Sequence, residues 1–211
     1  MKFLVYFSVI SLSLLPVGVQ AQDTKAATAT TPQQVPSTKL EAFLSKRGVI
    51  FIRDFNNLGK IEKKKTETIG TQNFTTTEYW VTVTALAVYE PAKEAVKMKG
   101  LQCDLTDFRG RGLDTNMSFL DLDEAESLSK ALGYLTELSG KWQGQNVGEK
   151  EVYFTTKDDF KVGFSQEQEK QAKAFVQSGR IGRTTIRLSS IDELTQLKSL
   201  VDSGIEWLKK Q

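Results

Sequence analysis

The first long apolar stretch of the chain, Phe3–Leu15, follows one basic residue and ends at Pro16 and Gly18. Small residues occupy positions −3 and −1 before a cleavage point after Ala21, which is the pattern of a secretory signal peptide. The stretch is also shorter than the roughly 20 residues of a membrane-spanning helix. We therefore predict a signal peptide over residues 1–21 and a periplasmic or secreted protein, with an uncleaved N-terminal anchor as the alternative.

Residues 22–37 (QDTKAATATTPQQVPS) have no apolar period and too little apolar surface to offset the entropy of ordering, so they are predicted to be a disordered linker. Leu40, Phe43 and Leu44 have the spacing of one helical turn. Apolar patterning continues from there to the C-terminus, which predicts a single domain over residues 38–211.

The domain is predicted to open with a β-hairpin. Gly48–Phe55 is rich in β-branched and aromatic residues, Asn56-Asn57 and Gly59 are turn formers, and a more polar strand continues through Ile61. The threonine-rich segment 66–77 is predicted to be a loop.

A longer pattern recurs after that loop, because residues 81–140 fall on residues 150–209 without a gap when they are shifted by 69 positions. The shift places Gly110-Arg111 on Gly179-Arg180 as turns between extended stretches. It therefore predicts an internal duplication of a β-β-β-α unit. The residues expected to point inward are Met117 and Phe119, matched with Ile186 and Leu188, then Leu122, Ala125, Leu128, Leu132 and Leu135 in the first helix, and Ile191, Leu194, Leu197, Val201, Ile205 and Leu208 in the second.

The two units are predicted to form an α+β fold, in which two helices pack on an antiparallel sheet. Short connections between the predicted strands favour antiparallel pairing. The predicted strands are 81–89, 95–107 and 113–120 in the first unit, and 150–157, 160–178 with an interruption at 166–173, and 183–189 in the second.

Composition excludes several classes of function. Without Lys2, 27 basic side chains stand against 26 acidic ones, so the mature chain lacks the basic excess of a nucleic-acid-binding protein. The chain has no histidine, which excludes His-based catalytic triads and zinc sites, and we expect no cofactor because no nucleotide-binding motif is present. Cys103 alternates with Leu101 and Leu105 and is predicted to be a buried apolar residue, with a reactive thiol as the alternative.

Asp121, Asp123, Glu124 and Glu126 form the densest acidic cluster. Carboxylates so close together can hold calcium or catalyse hydrolysis. The cluster opens a predicted helix, however, and its DLDE sequence is that of a capping box, as is Ser190–Glu193 (SIDE) in the second unit. We therefore predict that these acids cap helices, with catalysis or metal binding as the alternative.

Four arginines, Arg109, Arg111, Arg180 and Arg183, lie at the two corresponding turns. If a pseudo-two-fold relates the units, their guanidinium groups gather on one edge and are able to bind a carboxylate, sulfate or phosphate. Solvated turn residues are the alternative. The run Lys63–Lys65 is predicted to end a strand and to discourage edge pairing.

Four parts of the chain carry a resemblance to known proteins, namely Gly48–Phe55 with Leu58-Gly59, Val83–Glu90, Lys99–Leu101 and Ser118–Glu124. They are similar to segments of exported bacterial proteins of uncharacterised function. The similarity covers most of the chain after the linker and implies no activity, cofactor or catalytic residue.

These features favour an exported, non-enzymatic protein that binds another protein or a small anionic ligand, across the sheet or at the arginine turns. We expect no nucleic-acid partner and no transmembrane segment after signal cleavage. The alternative is a hydrolase that acts on envelope polysaccharide with carboxylates only. A carbohydrate platform would require aromatic side chains exposed together on one face of the sheet.

Overall fold

The computed structural model of the protein describes residues 35–109, 112–167, 171–179 and 182–211. The predicted signal peptide and nearly all of the predicted linker lie outside these ranges. In chain order the elements are α1 (Lys39–Leu44), β1 (Ile52–Ile69), β2 (Gln72–Tyr89), a short 3-10 helix (Pro91–Lys93), β3 (Met98–Asp107), β4 (Asp114–Asp121), α2 (Leu122–Trp142), β5 (Glu149–Thr155), β6 (Lys161–Glu167), β7 (Lys173–Ser178), β8 (Thr184–Arg187) and α3 (Asp192–Lys210).

The strands form two four-stranded sheets, and every pairing within them is antiparallel. The first sheet has the strand order β1-β2-β3-β4 and the second has the order β5-β6-β7-β8. The spatial order of the strands in each sheet is therefore their order in the chain. The predicted α+β fold is therefore confirmed, although the strands divide into two sheets instead of one.

Helix α3 packs on the first sheet, although the second sheet immediately precedes it in the chain, and α2 packs on both sheets. The backbone of α3 approaches the first sheet closely at Gly204, where a Cβ atom would lie 2.7 Å from methyl groups of both Leu58 and Leu101. In the second sheet, the ring of Phe164 packs edge-on against Trp142 of α2, with ring centroids 5.7 Å apart. The helices thus join the two sheets around one apolar interior.

The main core contains the inward positions of both sheets and both long helices. Cys103 is fully buried in β3 between Leu101 and Leu105, as predicted, and burial raises the pKa of its thiol. The helix positions predicted to be buried are confirmed. Ala125, Leu128, Leu132, Leu135, Leu194, Leu197, Val201, Ile205 and Leu208 are buried, and Leu122 and Ile191 pack against them.

A second, smaller cluster lies on the outer face of the first sheet. Leu40 and Phe43 of α1 pack there against Leu86 and Val88 of β2. Burying two such side chains contributes about 1.5–3 kcal/mol each. The start of the domain is therefore held to the sheet by apolar contact.

The hairpin that opens the domain differs from the prediction. Residues predicted as two strands and a turn form the single strand β1, in which a bulge between Asn57 and Gly59 takes the place of the turn. Gly59 accommodates the bulge with φ +129°, and its amide donates to Asn57 Oδ1. The lysine run Lys63–Lys65 lies within β1 and does not end it.

The threonine-rich segment predicted to be a loop is a projecting β-hairpin. β1 and β2 pair as far as Ile69 and Gln72, whereas β3 pairs with β2 only up to Tyr79. We call the part that extends beyond the sheet, residues 64–77, the arm. Nearly all of its side chains are exposed to solvent.

The predicted duplication is not confirmed. The two halves share the element order of four strands and a helix, but the predicted strand 160–178 is the antiparallel pair β6 and β7. The offset of 69 also assigns the wrong face to β4. Its Met117 is 48 % exposed, and Phe119 packs on α1 on the outer face, whereas Ile186 is in the main core.

No helix within the described ranges is long and apolar enough to cross a membrane.

Candidate functional site

The arginine prediction can be compared with the structure at two of its four positions. Arg109 forms two parallel hydrogen bonds to Asp107, from Nε to Oδ1 and from Nη2 to Oδ2, each 2.9 Å long. These bonds lower the pKa of Asp107 and occupy the guanidinium group. Arg183 is exposed just before β8, and Arg111 and Arg180 lie outside the described residues. The predicted gathering of the four groups stays a prediction.

Residues of the predicted acidic cluster cap α2 and bind α1 and α3. Asp121 and Glu124 form the predicted capping box of α2, in which the Asp121 amide donates to Glu124 Oε2 at 3.4 Å. The Asp121 carboxylate also accepts from the amides of Lys39 and Leu40 at the start of α1, both at 2.9 Å. Glu126 pairs with Lys209 at 2.8 Å. Within the described ranges, no three acidic or sulfur side chains come together as a metal site would require.

The second capping box is not formed. The N-cap position of α3 is Ile191, which has no side-chain capping bond. Glu193 instead accepts from the Tyr79 hydroxyl at 2.8 Å and from the Ser189 amide at 3.1 Å. The Ser190 prediction was wrong because Glu193 is bound to the first sheet and to Ser189.

A third buried carboxylate, Asp158, was not singled out by the sequence. It lies in the tight connection between β5 and β6, next to Asp159 with φ +53°. Asp158 accepts from the Phe119 amide at 2.7 Å and from the Ser37 hydroxyl at 3.0 Å. It thereby joins the beginning of the domain, β4 and the second sheet, which is a structural role.

The outer face of the second sheet is an open surface that carries acidic, basic, hydroxyl, amide and aromatic groups. Alternation along its four strands places one set of side chains in the core and the other set outside. The outer set encloses a groove of about 180 Å³, which we call the outer groove. Its lining residues are Glu151, Ser165, Glu167, Lys173, Ala174, Phe175, Gln177, Thr185 and Arg187.

One row of paired residues crosses this face from strand to strand. Tyr153 pairs with Gly163, Gly163 with Phe175, and Phe175 with Arg187. Adjacent strands are about 4.8 Å apart, so Tyr153 and Phe175 are about 10 Å apart across the glycine. Tyr153 is 52 % exposed and carries the ammonium group of Lys161 over its ring, 4.2 Å from the centroid. The face therefore presents two aromatic side chains together.

Glycine is required at the centre of that row. A Cβ atom on Gly163 would lie 2.2 Å from the Val152 carbonyl oxygen and 2.7 Å from the Cβ atom of Tyr153. The absent side chain lets β5 approach β6 closely at this position.

Most polar side chains of the outer groove have no partner within the described part of the chain. On the first sheet, by contrast, Asp104 accepts from Gln102 at 3.0 Å and from Thr82 at 3.4 Å. In the groove only Glu167 and Lys173 are paired, at 3.9 Å. The side chains without a hydrogen bond or ion pair to any described residue are Glu151, Ser165, Gln177, Thr185 and Arg187.

The groove also contains two carboxylates on neighbouring strands. Glu151 pairs with Ser165, so Glu167 is its diagonal neighbour, and such positions have Cα atoms about 7–8 Å apart. Two carboxylates at this spacing are compatible with binding of hydroxyl groups and with the geometry of glycoside hydrolysis.

A larger depression, about 410 Å³, lies between the end of α2 and the start of α3. Among its described lining residues Asp192 is the only charged side chain, and none is aromatic. It offers no cation and no stacking surface, so the outer groove is the better candidate for recognition of a specific ligand.

No protein-family model, curated protein or solved structure matches the chain.

Proposed function

We propose that the protein is an exported, non-enzymatic binding protein whose ligand occupies the outer groove of the second sheet. The observation that carries this proposal is the set of five polar side chains that converge on one open groove without partners in the described chain. Polar groups on a sheet usually bond to each other or to water, and groups left free around an aromatic residue are available to a ligand.

Export is the second part of the proposal. It is supported by the apolar stretch Phe3–Leu15, by the small residues before the predicted cleavage point, and by the resemblance to exported bacterial proteins. The predicted linker 22–37 would separate the domain from whatever precedes it.

The proposal is tested by filling the groove from its solvent side. Ser165→Tyr places a ring in the groove, and Thr84→Tyr places the same ring on the outer face of the first sheet as a matched control. Fractions of glycans, peptides and small acids from the envelope of the producing cell are added to isotope-labelled protein. Amide chemical shifts and the melting temperature are then recorded, because a ligand that binds the native state raises the latter.

We expect at least one fraction to shift amides of β6, β7 and β8 and to raise the melting temperature of wild type and Thr84→Tyr. The same fraction should have no effect on Ser165→Tyr that circular dichroism shows to be folded. Shifts confined to another surface, or shifts that persist in Ser165→Tyr, would contradict the assignment of the groove.

A carboxylate-dependent hydrolase is the second candidate function. One observation places its carboxylates in the outer groove and not in the acidic cluster at the start of α2. Glu151 and Glu167 share the open groove, whereas Asp121 is buried in bonds to α1. Release of reducing ends from a polysaccharide panel tests this candidate. Turnover by wild type that is lost in both Glu151→Gln and Glu167→Gln would replace the non-enzymatic proposal.

A further inference from the structure

We infer that the ligand of the outer groove is an acidic saccharide, in which a sugar ring lies against Phe175 and a carboxylate on that sugar pairs with Arg187. This inference rests on the proposed function of the groove and adds the chemical class of its ligand. It depends on the size, the polarity and the charge of the groove.

The size of the groove matches one six-membered ring. An apolar cavity of about 150 Å³ holds a benzene molecule, and the outer groove measures about 180 Å³. The groove is open to solvent, so neighbouring rings of a chain can extend beyond it. Its volume therefore suits a single ring unit of a longer ligand.

The polar groups favour a ligand with several hydroxyl groups. Ser165 and Thr185 can each donate and accept a hydrogen bond, and Gln177 has both a donor and an acceptor end. Glu151 supplies a planar acceptor on the opposite side, on β5. Sugar hydroxyl groups also donate and accept, so this mixed set suits a sugar better than it suits a simple anion or an apolar molecule.

The apolar floor favours a ring with one C–H face. Phe175 lies in the row of paired residues between Gly163 and Arg187, on the same face of the sheet as Tyr153. Aromatic rings bury flat apolar surface well, and a pyranose presents such a surface on one side of its ring.

The charges favour a carboxylate on the sugar. Glu167 and Lys173 neutralise each other at 3.9 Å. Arg187 has no ion-pair partner among the described residues and pairs across the strands with Phe175. Its planar guanidinium group matches a carboxylate through two parallel hydrogen bonds. Glu151, three strands away from Arg187 in the sheet, remains available to hydroxyl groups.

The test compares two probes that differ only in the carboxylate. Protein expressed from the full-length sequence is titrated with a galacturonic acid trisaccharide and with the corresponding galactose trisaccharide, and amide chemical shifts give both dissociation constants. Arg187→Gln removes the proposed partner of the carboxylate. Arg53→Gln, at an exposed arginine on β1 of the first sheet, is the matched control.

We expect the acidic trisaccharide to shift amides of Gln177, Thr185 and Arg187 and to bind at least about tenfold more tightly than the neutral one, as a charge-assisted hydrogen bond would produce. Arg187→Gln should remove that difference, and Arg53→Gln should preserve it. The preference should also shrink as salt is added, because the pair is exposed.

Equal affinity for the two probes, or an acidic preference that survives Arg187→Gln, would overturn the inference and leave the groove as a site for a neutral sugar. Absence of binding by both probes, while an envelope fraction still shifts the groove amides, would overturn the saccharide assignment alone. The groove-filling experiment decides the proposed function separately.

Discussion

The hydroxyl group of Tyr79 donates a 2.8 Å hydrogen bond to Glu193 and accepts one from the Ser189 amide at 3.0 Å. Tyr79 is on β2 of the first sheet, and Glu193 is in the first turn of α3, so the contact fixes the start of the last helix to the sheet. The ring itself is fully buried. One phenol thus fixes the start of α3, which has no side-chain cap, to the first sheet.

This contact predicts a loss of stability at high pH. Burial, followed by the neighbouring Glu193 carboxylate, raises the pKa of Tyr79 from 10.0 to about 12. Between these values the unfolded chain has lost the phenol proton and the folded chain has kept it. The Tyr79 contribution to stability is therefore complete below pH 10 and is lost as the pH rises toward 12, with a magnitude on the order of 2 kcal/mol.

The measurement is a chemical denaturation series between neutral pH and pH 12 on wild type and Tyr79→Phe. The variant should be less stable at neutral pH by about 1–2 kcal/mol, because Glu193 and Ser189 lose a partner. Its stability should fall less steeply than that of wild type above pH 10. Parallel curves for the two proteins would contradict the raised pKa of the phenol.

Replacement of Asp158, in the tight connection between β5 and β6, should lower the stability of the protein strongly. Asp158→Ala removes the acceptor of the Phe119 amide and of the Ser37 hydroxyl, so the free energy of unfolding should fall by about 2 kcal/mol or more. Urea denaturation measures the change. Glu206→Ala, at an exposed acid of α3, is the control and should change stability by less than about 0.5 kcal/mol. A similarly small effect of Asp158→Ala would show that these bonds do not stabilise the fold.

Two Gly→Ala substitutions should act in opposite directions. Gly163→Ala places a methyl group 2.2 Å from the Val152 carbonyl oxygen, and the resulting separation of β5 and β6 should cost about 2 kcal/mol. Gly140→Ala, in α2, has no atom within 4 Å of the added methyl group and should gain about 0.5–1 kcal/mol from helix propensity. Denaturation midpoints of the two variants should therefore lie on opposite sides of the wild-type value.

Local patterns were sufficient for the helices. The three-and-four spacing of Leu128, Leu132 and Leu135, and of Leu194 and Leu197, identified the faces that are buried. A helix stripe spans several residues, so the prediction tolerates small errors at the helix ends. Two other local patterns also gave correct predictions: the DLDE sequence identified the cap of α2, and alternation with Leu101 and Leu105 identified the buried position of Cys103.

The strands before these helices were less predictable, because an error of one residue reverses the face of every side chain. In β4 the inward residues are Ser118 and Leu120, whereas Ile186 of β8 and Leu188, just after that strand, face the core. Ser118 points inward because its hydroxyl meets Ser178 of β7 at 2.6 Å. A polar pair between sheets cannot be inferred from apolar alternation along one strand.

The outer groove was not predictable from the sequence for a related reason. Lys173, Phe175 and Gln177 alternate with core residues in β7. The prediction, however, assigned residues 160–178 to one strand with an interruption, and not to the two paired strands β6 and β7. Only the pairing of β6 with β7 and of β7 with β8 brings Phe175 beside Gly163 and Arg187. The sequence does contain the alternation, which a two-strand interpretation of 160–178 would have used.

The arm should exchange its amide hydrogens much faster than the rest of β2. Its strands pair only with each other, since the pairing with β3 stops at Tyr79, and a two-stranded hairpin alone is marginally stable in water. The side-chain hydrogen bonds between Thr66 and Thr75 at 3.0 Å and from Thr68 to Asn73 at 2.8 Å are exposed to solvent. Hydrogen exchange followed by mass spectrometry should give protection factors for residues 66–76 at least about 100-fold below those for residues 81–87.

Replacement of residues 65–76 by Asn-Gly tests whether the arm contributes to the stability of the domain. The two new residues would close a tight turn between Lys64 and Thr77, which are already paired. The arm contributes no residue to either apolar cluster, so the shortened protein should unfold within about 1 kcal/mol of wild type. Slow exchange in the arm of the isolated protein, or a much larger loss of stability on shortening, would mean that the arm is held by contacts beyond its own two strands.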